Sequence, residues 1–169
     1  MPPLTSIRRL AVAGLAATLV AVPVATAGTP TPPKGVRDQL QDPAFVLSMP
    51  ADRGAWTLWS GTVEGDRWWM LSRPRAQQIG GAACPATARA LTVCFNGTFG
   101  DDRFVVVGRV APGLAVAAAD ASGRALRKAR RGAAYLAVAR GAPRTVTVVA
   151  RDRRGDVVAR RVLVAGRRG

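Results

Sequence analysis

Ten short runs rich in valine, alanine and aromatic residues, each bounded by glycine, proline or aspartate, constrain the chain beyond Phe45 to an all-β fold. They span residues 45–49, 55–62, 67–71, 91–95, 104–110, 114–119, 124–128, 134–140, 145–151 and 157–164. Short strands at this spacing imply an immunoglobulin-like β-sandwich, with a small β-barrel as the alternative. Turn chemistry supports the reading. Asp120-Ala121-Ser122-Gly123 and Asp152-Arg153-Arg154-Gly155 place aspartate first, where it accepts backbone N–H bonds, and glycine fourth, where positive φ is needed. Glu64-Gly65-Asp66 reads as a third hairpin. A helical turn is expected only near residues 36–41, where Pro43 stops it.

Alternation assigns faces. Phe104, Val106 and Val110 alternate with Val105, Val107 and Arg109, and Val146, Val148 and Ala150 with Thr145, Thr147 and Val149. The last run puts an arginine on either face, Arg161 with Leu163 and Arg160 with Val162. A bulge at Arg160-Arg161 is the favoured resolution, and an edge strand whose arginine reaches solvent is the other.

Ahead of the β-runs, Arg8-Arg9 precede an apolar stretch, residues 10–24, that ends at Ala25-Thr26-Ala27. This pattern predicts a secretory signal peptide over residues 1–27, a Pro-rich linker over 28–35 and one domain over 36–169. The run is short for a membrane anchor and is interrupted by Pro23. Paired arginines leave ordinary and twin-arginine export both open, and the first cysteine, Cys84, lies far from a lipoprotein cleavage point. The expected address is secreted, extracellular or cell-wall associated.

An oxidising compartment makes the only two cysteines, Cys84 and Cys94, a disulfide. Nine intervening residues do not suit a redox-active pair. Charge is divided unevenly. Residues 28–102 hold seven basic and seven acidic side chains, whereas residues 103–169 hold sixteen basic against three aspartates. A field of that sign attracts polyanions. Candidate contacts are Arg127, Lys128, Arg130 and Arg131, read as one interstrand loop, with Arg153 and Arg154 on a hairpin tip. Six charges converge only if both loops share an end of the sandwich. Trp56, Trp59, Trp68 and Trp69 fall within fourteen residues. Core packing is the main reading of this cluster, but adjacent Trp68 and Trp69 cannot share a strand face, so at least one of them reaches the surface as a candidate binding residue.

The chain has no histidine, which removes His-based nucleophile systems and the commonest transition-metal ligand. No phosphate loop or calcium loop is present, so no metal, catalytic residue or cofactor is assigned. Asn96-Gly97-Thr98 matches a glycosylation sequon, and Asn-Gly reads instead as a tight turn. An aspartate-based hydrolase is the third-ranked reading; it would need convergence among Asp52, Glu64, Asp66, Asp101 and Asp102.

The Trp-containing run 67–71, the Val-Gly-x-Val run around Gly108, the cysteine pair and Asp120-x-x-Gly123 resemble the small exported β-domain proteins of actinobacteria. That resemblance implies a fold and an address and carries over no site. The leading expectation is a non-enzymatic binding module of the cell envelope or medium, with an anionic envelope polymer, lipid head group or acidic protein as partner and no nucleic acid. The alternative is a structural envelope protein that pairs through the tryptophan region or a sheet edge.

Overall fold

The computed structural model describes residues 29–52, 54–73, 78–87, 89–99 and 103–164. The expected signal peptide, Asp101-Asp102 and the C-terminal Arg167-Arg168 lie outside them. The elements are α1 (Lys34–Arg37), β1 (Gln41–Pro50), β2 (Ala55–Val63), β3 (Asp66–Arg73), β4 (Gln78–Ala83), β5 (Leu91–Phe99), β6 (Arg103–Val110), β7 (Ala115–Asp120), β8 (Arg127–Arg131), β9 (Ala134–Val138), β10 (Thr145–Arg151) and β11 (Val157–Val164). All pairings are antiparallel, and the described sheets are open rather than closed into a barrel. The first sheet has order β1-β2-β3-β4, the middle sheet β5-β6-β9-β8 and the third sheet β11-β10-β7.

Sheet-on-sheet packing follows from the alternation, but there are three layers where an immunoglobulin-like sandwich has two. The middle sheet is buried on both faces. On one, Phe104, Val106, Tyr135 and Ala137 meet Val116, Val146, Val148 and Ala150 of the third sheet. On the other, Val105, Val107, Leu136 and Val138 meet Leu47, Trp56, Leu58, Trp69 and Leu71 of the first sheet. That is why β6 and β9 read as unbroken apolar runs. The outer face of the first sheet is covered too. Val36 of α1 and Leu40 pack on Trp59 and Met70, while the Trp59 indole donates to Ser72 Oγ at 2.8 Å. The helix begins at Lys34, within the expected linker.

The turns form as their residues dictate. Asp120 Oδ1 accepts from the backbone N–H groups of Ser122 and Arg124, both at 3.0 Å. Asp152 Oδ1 repeats the arrangement with Arg154 at 2.8 Å and Asp156 at 3.0 Å. Gly123 and Gly155 take φ of 80° and 91°. Glu64 and Gly65, at φ 52° and 88°, close the two-residue β2–β3 hairpin.

Three expectations need correcting. Asn96-Gly97 is not a turn: both residues lie inside β5, opposite Val106 and Val105, because β5 pairs continuously with β6 across them. The irregularity in β11 falls at Val158, opposite the Ala150/Arg151 step, and not at Arg160-Arg161, which pair regularly with Val149 and Val148. As an edge strand, β11 lets both arginines reach solvent. Finally, Arg127, Lys128, Arg130 and Arg131 form strand β8, because Arg127–Arg131 pair in register with Val138–Ala134.

Cys84 and Cys94 are bonded, which places the chain in an oxidising environment. Cys94 is the extra residue of a bulge between Val93 and Phe95. The bulge turns its side chain toward the core shared with the first sheet, where Cys84 is buried just past β4. Among the described residues no helix is long and apolar enough to cross a membrane.

Candidate functional site

The basic strand β8 is a staple. Its odd-numbered arginines point to the first sheet, where Arg127 Nη2 donates to the Pro50 carbonyl at 2.9 Å and Arg131 Nη1 to that of Val46 at 3.3 Å. The even-numbered cations point the other way. Lys128 Nζ donates to the Val116 carbonyl at 2.7 Å, and Arg130 Nη1 donates to the Leu114 carbonyl. The acceptors are the residue just before β7 and one within it, and the Ala118 carbonyl of β7 takes the Leu126 N–H. Four charges read as a ligand patch thus satisfy edge carbonyls of two flanking sheets. Arg131 also covers Phe45, its guanidinium 5.5 Å from the ring centroid, and Arg109 covers Trp69 at 5.4 Å. Burial, and then the Arg67 guanidinium, lower the Arg109 pKa.

Register also spreads the predicted basic residues along the third sheet. Val146 pairs with Asp120 and Arg151 with Ala115, so the Asp120 and Asp152 turns occupy opposite ends of the third sheet. Arg153 and Arg154 therefore lie away from Arg127, where β8 begins, and toward the end where Arg130 reaches Leu114. The six charges do not converge. Of the predicted aromatics, Trp69 is buried between the first and middle sheets, and Trp68 is half-buried on the outer face of the first.

The Arg127 end gathers a different set. Arg73 closes β3, Arg103 opens β6, Arg124 sits in the Asp120 turn, and Arg140 follows β9. Antiparallel pairing brings these strand ends together. Arg73, Arg103, Arg127 and Arg140 surround a cleft of about 20 Å³ floored by Met49, Trp56 and Val138, room for one water-sized group. A neighbouring cavity of about 240 Å³ shares Arg127, Val138 and Arg140 and adds Arg124 and Leu126. Arg73 is buried, with its guanidinium 5.0 Å from the Trp56 ring centroid, and Trp56 meets Phe99 edge-on at 5.5 Å. Arg103 pairs with Asp52 at 2.7 Å and Arg124 with Asp120 at 3.1 Å. Among the described residues five guanidinium groups thus face two carboxylates, both already paired. Arg140 is exposed and has no hydrogen-bond partner among the described residues.

Guanidinium groups converging beside low-dielectric walls suit phosphate or carboxylate, which they bind through paired N–H donors. The sequence concealed Arg73, Arg103 and Arg140 because they are scattered. Their shared signal is an arginine at the first or last residue of an apolar run. Among the described residues the candidate carboxylates show no comparable convergence. Asp52 lies at this end, whereas Glu64 and Asp66 lie at the β2–β3 turn at the other end of the first sheet. Among the described residues no group of three metal-ligating side chains occurs.

Asp120 supports both the turn and the groove wall. Foremost the Ser122 hydroxyl, then the Arg124 and Ser122 backbone N–H groups and the Arg124 side chain, hold its carboxyl below the ordinary aspartate value against desolvation. A carboxyl with a depressed folded pKa adds stability above its unfolded pKa, and this is lost as pH falls through the folded value. Asp120→Asn keeps the acceptor oxygen and removes the charge. Stability measured by urea unfolding is expected to fall less on acidification in the variant than in the parent; equal losses would contradict the assignment.

No family model matches the chain, and neither the curated proteins nor the solved structures contain a significant match to it.

Proposed function

We propose that the protein is an exported, non-enzymatic binding module, its three stacked sheets serving as the scaffold, and that it takes an anionic envelope partner at the Arg73–Arg103–Arg127–Arg140 groove. The observation that carries this reading is Arg140: an exposed guanidinium without a protein partner, held beside two cavities already lined by cations. The leading partner class is a phosphate-bearing polymer. A polymer can place a charged oxygen in the small cleft and a neighbouring unit in the larger cavity. The envelope address rests on the N-terminal signal pattern and agrees with the disulfide. The tryptophan-surface alternative loses ground, because Trp56, Trp59 and Trp69 are buried.

Retention on a glycerol-phosphate polymer should fall steeply with salt. Arg140→Glu should weaken binding about tenfold, equivalent to about 1.4 kcal/mol, while Arg154→Glu at the opposite end leaves it unchanged. Affinity that is insensitive to salt, or reduced equally by both substitutions, would overturn the proposal. Parallel measurements on anionic vesicles separate a lipid head group from a wall polymer.

A further inference from the structure

Every exposed large apolar side chain among the described residues lies on one strand. Val157, Val158, Val162 and Val164 of β11 are 49 %, 50 %, 56 % and 71 % exposed. β11 is the edge of the third sheet, and no other described strand pairs with its outer side. The opposite edge of that sheet is closed, because Arg130, Lys128 and the Leu126 N–H occupy the carbonyls of Leu114, just before β7, and of Val116 and Ala118 within it. The first sheet's β1 edge is closed in part the same way, by Arg127 and Arg131. Among the described residues nothing comparable reaches β11. Apart from its pairing with β10, its one described hydrogen bond is a local 3.4 Å contact from Arg161 Nη1 to the Arg160 carbonyl.

We propose that the free edge of β11 receives an extended acidic segment of a partner protein by strand addition. The backbone is prepared for it: from Ala159 to Val164 the strand pairs with β10 without interruption, so its outward N–H and C=O groups stand in regular array. Side chains give the specificity. Val162 and Val164 lie on the outer face beside Thr147 and Thr145, while Arg160 and Arg161 point to opposite faces. Neither arginine has an acidic partner among the described residues. The nearby Asp152 carboxylate is engaged by its own turn. An incoming strand with acidic residues opposite the two arginines and apolar residues beside the valines satisfies all four features. A second copy of this chain does not, because antiparallel pairing of two β11 strands centred on Arg160-Arg161 sets like charges opposite each other.

The test uses the full chain and two end-blocked valine-rich peptides of β11's length, one carrying two adjacent glutamates to stand opposite Arg160 and Arg161 on the two faces and one carrying two adjacent lysines there. The valine–glutamate peptide is expected to bind and to slow amide exchange along β11, with the valine–lysine peptide inert. The double substitution Arg160→Glu, Arg161→Glu should weaken the acidic peptide about tenfold and confer binding of the lysine peptide. Exchange mapping on the unaltered chain reads the site without any variant. Failure of both peptides, equal binding of the acidic peptide by parent and variant, protection outside β11, or concentration-dependent self-association through β11 would each overturn the proposal.

Discussion

Gly108→Ala is expected to cost about 3 kcal/mol, the upper part of the range for overpacking a core, and to lower the unfolding midpoint by about 10 °C. Gly108 lies in β6, in the middle sheet, where both neighbouring strands press on it. A methyl group there would stand 2.1 Å from the Thr92 carbonyl oxygen and 2.6 Å from the Tyr135 hydroxyl. Neither can move freely. The carbonyl belongs to the backbone of β5, and Tyr135 is fully buried, its hydroxyl donating to that same carbonyl at 3.4 Å. Burial pushes the Tyr135 phenol far above its ordinary pKa, so it stays protonated.

The control is another strand glycine. Gly97 in β5 has nothing within 4 Å of a built Cβ and no positive φ, so Gly97→Ala should be neutral or stabilise by up to about 1 kcal/mol. Calorimetry on the two variants separates close packing from a general intolerance of alanine. Adding Tyr135→Phe to Gly108→Ala removes the hydroxyl contact and leaves the carbonyl one, so recovery should be partial. Full recovery, or equal costs at the two glycines, would refute the steric account.

Local chemistry was the legible part of this fold. Asp120-x-x-Gly123, Asp152-x-x-Gly155 and Glu64-Gly65 each determine their turn through side-chain acceptors or positive φ, and each forms as read. The third layer was less legible, because a strand buried on both faces loses the alternation that marks one buried on a single face. Val105-Val106-Val107 and Ala134-Tyr135-Leu136-Ala137-Val138 are the trace it leaves. β4 escaped notice since Gly80 and Gly81 carry no side chain to reveal a period, and Phe99 lies against the space at Gly80. Reading β8 as a loop came from treating its charges as solvated. Long cationic side chains can instead reach across to carbonyls of the sheets above and below. The groove depends on which strand ends meet, a property of topology that five separate arginines cannot show in one dimension.

Removing the disulfide through Cys84→Ala, Cys94→Ala should cost about 3 kcal/mol on the chain-entropy account of a loop this short. The bond does more than close a loop. Cys84 follows the last strand of the first sheet and Cys94 occupies the bulge of β5, so the bond ties the first sheet to the middle one at the β4–β5 edge. At the opposite edge, β1 and β8 are joined without a covalent bond, by the Arg127 and Arg131 bonds to Pro50 and Val46 and by Arg131 over Phe45. With the covalent tie gone, separation of the first sheet becomes the easiest opening, because Trp56, Leu58 and Trp69 would be exposed while the packing of the middle and third sheets stays intact. Amide exchange should therefore accelerate in β2 and β3 before β6, β9 and β10, and tryptophan emission should shift ahead of the loss of β-sheet ellipticity in urea. Reductant should reproduce both effects in the parent chain and add nothing in the variant. A single coincident transition, with uniform exchange across the three sheets, would show that the bond stabilises the stack as a whole instead of holding one layer to it.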